Sequence, residues 1–232
     1  ITASEMGELI RDDDEHYPRT KLISMENTLN KMGGKIVPIG VIADVREFAL
    51  SNNLRTHLDG ARLMNAAIAN RCTPKELASS FDTVSLCLSK GLGAPVGSVL
   101  GGKKDFINEA RRVRKMLGGG MRQAGILAAC GVVAIKNQVD RLIQDHALAA
   151  RLASELAQIP DVETEPQGAN TNMVFIKVKQ EYRAPLQNFL KQEGVLIGGR
   201  PPTFRLVLHR DIKEGDVNKT VASIAKFFRE NV

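Results

Sequence analysis

The sequence predicts an α/β fold whose larger part contains a mainly parallel sheet, and three observations support this prediction. Strand-like and helix-like segments alternate along the 232 residues, which is typical of α/β proteins. Residues 84–89 form a short apolar run, as expected for a strand buried on both faces of a parallel sheet. This run ends at Lys90, and the loop that follows contains three glycines and a proline, which stop the strand.

The first 140 residues contain the elements expected of a large domain. Strands are predicted at residues 21–26, 54–58, 84–89 and 98–100, and helices at residues 39–52, 62–70, 104–116 and 121–137. A further helix begins after Thr73, because Thr73 is a typical N-cap, Pro74 suits the first turn and Glu76 lies at the third helical position. Residues 27–35 are polar and are predicted to form a loop.

The rest of the chain has a different order of elements. Helices are predicted at residues 139–158, 185–193 and 215–228, and strands at residues 172–178 and 204–209. This α-β-α-β-α series is typical of a small α+β domain. We therefore predict a ligand-binding large domain at residues 1–140 and a small C-terminal domain at residues 141–232.

The composition excludes several classes of protein. No apolar run approaches the roughly 20 residues of a membrane-spanning helix, so no membrane span is predicted. The formal net charge of +6 suggests a nucleic-acid partner, but the basic residues are dispersed, and two Tyr with no Trp offer little surface for base stacking. The three cysteines lack metal-ligand spacing, which predicts buried reduced thiols in an intracellular protein and no metal site.

The chemical prediction starts from Lys90 and Asp59, which end two consecutive predicted strands. Open α/β sheets bind ligands at the carboxyl ends of their strands, and a buried lysine there can form a Schiff base with a carbonyl. Pyridoxal phosphate needs such a lysine for its aldehyde and a carboxylate that keeps its pyridine nitrogen protonated. The simpler alternatives are a Lys90 amine that reaches water and a local ion pair between Asp59 and Arg62.

A second candidate feature is the glycine triplet at residues 118–120, followed by Arg122. Glycines let the backbone approach a ligand closely, and the N-terminus of the predicted helix at residue 121 attracts anions. Arg122 is therefore a candidate phosphate ligand. A plain turn between two helices is the alternative.

Six segments together resemble the L-threonine aldolases, which are pyridoxal-phosphate enzymes of the aspartate-aminotransferase-like fold (fold type I). These segments are HYPRT at residues 16–20, SMENT at 24–28, HLDGAR at 57–62, CLSKGLG at 87–93, GGGMRQ at 118–123 and RLVLH at 205–209. The resemblance extends over essentially the whole chain. Family members carry further residues upstream, including a glycine-rich phosphate loop, so we expect this chain either to have been cut or to be an N-terminally truncated form.

The resemblance implies roles for four residues at the cofactor. Lys90 is the lysine that binds the cofactor aldehyde, and Asp59 pairs with the pyridinium nitrogen. Arg62 lies beside the cofactor, and Arg122 lies near its phosphate.

Three residues are implied at the substrate. Arg205 is the main carboxylate clamp, Arg62 assists it, and His16 lies beside the substrate hydroxyl as the candidate catalytic base. From the residues alone, a solvated surface histidine is the better interpretation of His16, and an edge or interface residue is the usual interpretation of Arg205. Residues 26–28 would normally be turn residues.

The activity implied by the resemblance is cleavage of L-threonine or L-allo-threonine to glycine and acetaldehyde. The alternatives are a related pyridoxal-phosphate lyase, a hydroxymethyltransferase, or a catalytically silent truncated form. The resemblance also implies a homotetramer or dimer and a small amino-acid substrate, with no nucleic-acid or membrane partner. We expect a cytoplasmic location, with the mitochondrion as the alternative.

Overall fold

The computed structural model describes residues 2–164 and 169–231, and the chain forms two compact units. The first unit comprises the residues up to Thr28 together with Ile36–Val139, and the second comprises Leu29–Lys35 and the residues from Asp140 onward. The functional assignment of residues 1–140 and 141–232 stays a prediction. The segment Leu29–Lys35 lies in the predicted range 1–140 but belongs to the second unit.

The first unit contains a four-stranded sheet in which the strands follow the chain order. Its strands are β1 (Leu22–Glu26), β2 (Arg55–Asp59), β3 (Thr83–Cys87) and β4 (Ser98–Gly102). Strands β1, β2 and β3 are parallel, and β4 runs antiparallel to β3. The predicted α/β class with a mainly parallel sheet is confirmed, and the carboxyl ends of β1 to β3 lie at one edge.

Six helices of the first unit lie within the described residues. They are α1 (Ala3–Gly7), α2 (Ile39–Ser51), α3 (Leu63–Asn70), α4 (Pro74–Ala78), α5 (Lys104–Met116) and α6 (Gly125–Asn137). The predicted capping box of α4 is confirmed, because Thr73 Oγ1 accepts a hydrogen bond from the Glu76 N–H at 3.2 Å and the Glu76 carboxylate accepts one from the Thr73 N–H at 2.7 Å. Helix α2 buries Ile42, Val45 and Ala49, as its amphipathic spacing predicts.

Asp82 joins α2 to the start of β2. Its Oδ2 accepts hydrogen bonds from the Thr56 backbone N–H at 2.8 Å and from Arg46 Nη1 at 3.0 Å. Burial of Asp82 opposes its ionisation, but the hydrogen bonds from Thr56 and Arg46 outweigh this effect and hold its pKa below the usual value.

Burial in the first unit differs from the prediction at β3. All five residues of β3 are half-buried, so the expectation of a strand buried on both faces is wrong. Its neighbour β4 is largely exposed, and α5, which packs on β4, buries none of its own residues. The cysteines are free, but Cys72, Cys87 and Cys130 are half-buried rather than buried.

The second unit is a three-stranded antiparallel sheet packed against helices. Its elements are α7 (Leu142–Leu156), β5 (Glu163–Thr164), β6 (Met173–Lys177), α8 (Gln180–Gln192), β7 (Thr203–Val207) and α9 (Glu214–Asn231), with strand order β5-β6-β7. Strand β7 alternates in burial: Phe204 and Leu206 enter the core, and Arg205 faces outward between them. This alternation makes Arg205 available to a ligand.

Two features of the second unit were not predicted. Helix α8 begins at Gln180, five residues before Pro185, because burial of Leu186 and Leu190 stabilises a helix that contains the proline. The short strand β5 was missed. No helix within the described ranges is long and apolar enough to cross a membrane.

Candidate active site

The candidate active site lies at the carboxyl edge of the parallel strands in the first unit. Asp59 is the last residue of β2, and it is in register with Glu26, the last residue of β1, and with Ser85 of β3. Lys90 follows the end of β3 by three residues. One of the two central predicted residues therefore ends a parallel strand and the other follows the adjacent strand, at the same edge of one sheet.

The turn after β2 fixes the backbone of Asp59. Asp59 Oδ1 accepts a hydrogen bond from the Ala61 N–H at 3.0 Å, and its carbonyl accepts one from the Asn27 N–H at 3.0 Å. Gly60 packs directly on β3, since a Cβ at this position would lie 2.6 Å from the Ser85 carbonyl oxygen. The half-buried Asp59 thus has its carboxylate held by the Ala61 N–H and its backbone carbonyl held by the Asn27 N–H.

The loop that carries Lys90 is closed by backbone hydrogen bonds. The Gly93 N–H donates to the Lys90 carbonyl at 2.8 Å, and the Ala94 N–H donates to the Leu88 carbonyl at 2.9 Å. Within the loop, Leu88, Leu92 and Ala94 are buried, whereas Lys90 itself is exposed. The expectation that Lys90 is buried is therefore wrong, and burial supplies no reason for its reactivity.

Two predicted arginines lie in loops of the first unit. Arg62 is half-buried and directly precedes α3, in the same turn as Asp59. Arg122 is exposed. The helix predicted to start near residue 121 starts later, because residues 122–124 form a turn, with Gln123 at φ 51°, and α6 begins at Gly125. Arg122 therefore precedes the helix rather than lying in its first turn.

His16 lies in a loop that is exposed but tied by several contacts. Its Nδ1 is 2.7 Å from Asp14 Oδ1, which also accepts a hydrogen bond from the His16 backbone N–H at 2.8 Å. These bonds lower the pKa of the Asp14 carboxyl. Arg19 donates to Asp13 at 2.8 Å in the same loop. Because a carboxylate only accepts hydrogen bonds, Nδ1 is the donor in this contact, and Nε2 is the ring nitrogen that Asp14 does not engage.

Arg205 belongs to the second unit and is held at both its backbone and its head group. Its backbone N–H donates to the Gly198 carbonyl at 2.6 Å, and its Nη1 donates to Asn30 Oδ1 at 2.9 Å. Gly199 has φ +145°, and a Cβ there would lie 2.7 Å from the Arg205 nitrogen, so the loop contacts the strand without space for a side chain.

The comparisons with known proteins assign the chain to a family. The profile of the beta-eliminating lyase family matches residues 1–179. The chain belongs to this family. It is 45% identical over 213 residues to the low specificity L-threonine aldolase of Escherichia coli K12, a match that covers 92% of this chain and 62% of that relative. The chain thus spans about 62% of the length of this relative.

Solved structures support the fold of this beta-eliminating lyase family member. A Leishmania major threonine aldolase superposes with a TM-score of 0.81 at 20% identity, covering 98% of this chain and 67% of that one. A structure of SPT with PLP superposes with a TM-score of 0.73 at 16% identity, covering 99% of this chain and 59% of that one. The predicted fold type I architecture is confirmed, and at these identities the likeness concerns the fold alone.

The sequence did not indicate every residue that shapes this family member's site. Asn30, the partner of Arg205, was included only in a predicted polar loop; it begins a short 3-10 helix, Asn30–Met32. Asn27 is fully buried and bonds both backbone groups of Val37, at 3.2 and 3.5 Å. The only signal in the sequence was the polar run at residues 27–35, directly after a predicted strand. This run does not reveal which residues Asn27 and Asn30 contact.

A separate cavity of about 480 Å³ lies beside β3, β4 and α5. Its lining includes Ser85, the register partner of Asp59, together with Arg111 and Arg114, and none of the six predicted site residues. Across the described residues, no group of three or more His, Cys, Asp or Glu side chains is placed to hold a metal ion.

Proposed function

We propose that this protein is a pyridoxal-phosphate-dependent lyase that cleaves L-threonine or L-allo-threonine to glycine and acetaldehyde. The observation that carries the proposal is the placement of Asp59 at the end of β2 and of Lys90 shortly after the adjacent parallel strand β3, at one sheet edge. The 45% identity to an L-threonine aldolase supports the choice of reaction. The chain spans 62% of that relative's length, and the activity is proposed for the whole protein.

The donor set at this edge fits pyridoxal phosphate. A primary amine and a carboxylate meet the two chemical needs of the cofactor, an aldehyde partner and a counter-ion for the pyridinium. We assign Lys90 to the aldehyde, Asp59 to the ring nitrogen and Arg122 to the phosphate, with Arg62 beside the cofactor. When bound, the cofactor supplies an electron sink for cleavage of the Cα–Cβ bond.

The substrate roles follow from the chemistry of the remaining residues. Arg205 and Arg62 bind the substrate carboxylate, because guanidinium groups form paired hydrogen bonds with carboxylates. His16 accepts the β-hydroxyl proton at Nε2, while Asp14 holds the proton on Nδ1 and stabilises the charged ring. Removal of this proton allows the aldehyde product to form.

The direct test is the replacement of Lys90 by alanine. We expect Lys90→Ala to lose the visible absorbance of covalently held cofactor and to lose turnover of threonine, because no other group is assigned to the aldehyde. The measurements are the absorbance spectrum and acetaldehyde release. A Lys90→Ala protein with an unchanged spectrum and rate contradicts the assignment.

Beta-elimination is the second candidate reaction, because the matching family is described by it. An eliminating lyase releases pyruvate and ammonia from β-substituted amino acids, whereas an aldolase releases acetaldehyde from threonine. Both products are measured on the same protein sample. Pyruvate from serine or cysteine, without acetaldehyde from threonine, favours elimination.

We also propose that the protein assembles into a homodimer or homotetramer. Helix α6 is apolar around nearly its whole circumference, yet Ile126, Val132 and Val133 are each at least 51% exposed. Such a helix is normally buried, so a protein surface is expected to cover it. Sedimentation analysis tests this, and a monomer at micromolar concentration contradicts it.

The proposed location is the cytoplasm, with the mitochondrion as the alternative. The free state of all three cysteines supports a reducing compartment. Cell fractionation with a tagged protein distinguishes the two.

A further inference from the structure

We propose that Asn30 is a positioning residue that orients the Arg205 guanidinium for a substrate carboxylate. This inference rests on the proposed role of Arg205 as a carboxylate clamp. Asn30 Oδ1 accepts a hydrogen bond from Arg205 Nη1 at 2.9 Å, and both residues belong to the second unit. No property of the sequence near either residue indicates this pairing, which joins positions 175 residues apart.

The geometry leaves most of the guanidinium available. An arginine head group carries five N–H donors in a planar fork, and the Asn30 oxygen occupies one nitrogen of that fork. A carboxylate binds best to two parallel N–H groups of one guanidinium. Asn30 therefore fixes the plane of the head group while donors remain for a ligand.

The proposed role of Asn30 depends on its side chain being uncharged. An aspartate or glutamate in its place would hold the guanidinium as firmly, but it would neutralise Arg205 and compete with a substrate carboxylate for the same donors. An amide oxygen orients the head group without cancelling its charge. Asparagine thus suits a clamp that must stay open to an anion.

The backbone around Arg205 is fixed independently, so the head group is the part left to orient. The Gly198 carbonyl and pairing with Phe175 of β6 hold the Arg205 backbone. Arg183 donates to the Gly199 and Pro202 carbonyls at 3.1 and 3.4 Å, which fixes the preceding loop. A long side chain on a rigid strand still has several rotamers, and Asn30 selects among them.

The test compares two ligands in the protein loaded with pyridoxal phosphate. Glycine carries an amine and a carboxylate, whereas ethylamine carries the amine alone. Spectral titration gives a dissociation constant for each. We expect Asn30→Ala to weaken glycine about tenfold, the usual effect of removing a hydrogen bond to a charged group. We expect Asn30→Asp to weaken it more, by roughly thirtyfold. Ethylamine affinity should not change.

Two control variants make the outcome decisive. Asn52→Ala removes an asparagine whose Nδ2 donates to the Phe48 carbonyl at 2.9 Å at the end of α2, and it should leave both ligands unaffected. Arg205→Lys tests the clamp itself. If Arg205→Lys weakens glycine but both Asn30 variants bind it normally, the inference is overturned while the clamp stands.

Other outcomes separate orientation from a structural role. Equal loss of glycine and ethylamine in Asn30→Ala overturns the inference, because the carboxylate is then irrelevant. Wild-type glycine affinity in Asn30→Asp overturns it as well, since a structural acceptor is all that such a result requires. If Arg205→Lys leaves glycine unaffected, the clamp fails and the inference fails with it, whichever reaction the protein catalyses.

Discussion

Replacing Gly60 by alanine tests the close contact between the Asp59 turn and β3. A Cβ at residue 60 would lie 2.6 Å from the Ser85 carbonyl oxygen, 3.1 Å from Leu63 Cβ and 3.2 Å from Val84 Cγ2. The first contact involves backbone, so the turn or the strand must move. Overpacking of this kind costs about 2 kcal/mol, which lowers Tm by roughly 4–8 °C in a chain of this size.

The assay pairs calorimetry with cofactor affinity. Movement of the turn displaces the Ala61 N–H that holds the Asp59 carboxylate at 3.0 Å, so we expect weaker binding of pyridoxal phosphate as well as a lower Tm. Gly40→Ala is the control, because its Cβ meets nothing within 4 Å in α2 and alanine favours a helix by about 0.5–1 kcal/mol. A Gly60→Ala protein that melts at or above the wild-type temperature refutes the reasoning.

Three further predictions concern single side chains. Asp59→Asn should lower kcat more than it raises KM for threonine, because the proposed ring partner is lost while the carboxylate clamp remains; equal effects on both contradict this role. Asp82→Asn should cost about 1–3 kcal/mol of stability in urea titrations, since it removes the negative charge that Arg46 Nη1 contacts at 3.0 Å and leaves Arg46 only its hydrogen bond to Thr56 Oγ1 among the contacts described. The low pKa of Asp82 means that this contribution is present at neutral pH and is lost as pH falls through the folded-state pKa. Burial lowers the pKa of His146, although the charge of Asp145 opposes this effect. The unfolded chain therefore binds a proton more readily than the folded one, and the free energy of unfolding declines as pH falls below about 6.5. His146→Gln should flatten the dependence of Tm on pH between about 7.5 and 5.5, and an unchanged slope contradicts this.

Local signals in the sequence predicted much of the fold. The capping box at Thr73 and Glu76 spans four residues, so it can be recognised from the sequence without the tertiary structure. The strand predicted at residues 204–209 likewise corresponds to β7, Thr203–Val207. The end of β2 at Asp59 follows from the same kind of evidence, whereas β3 ends at Cys87, three residues before Lys90.

The misses depend on contacts between distant segments. The exposure of Lys90 and the half-buried state of β3 depend on which helices cover the sheet, which periodicity cannot reveal. The start of α6 was displaced by a positive φ at Gln123, a conformation that non-glycine residues seldom adopt. Asn30 is a comparable case, because its contact with Arg205 exists only in the folded chain.

The segment Leu29–Lys35 has a consequence for any attempt to divide the protein. Cleavage after Val139 would release a C-terminal fragment without the Gly34 carbonyl, which accepts a hydrogen bond from the buried Thr171 hydroxyl at 2.8 Å. Such a fragment would carry an unsatisfied interior hydroxyl and an untethered Arg205. The C-terminal fragment released by cleavage after Val139 should therefore be less stable than the same residues in the whole chain. Adding a peptide that spans residues 29–35 should restore part of this stability.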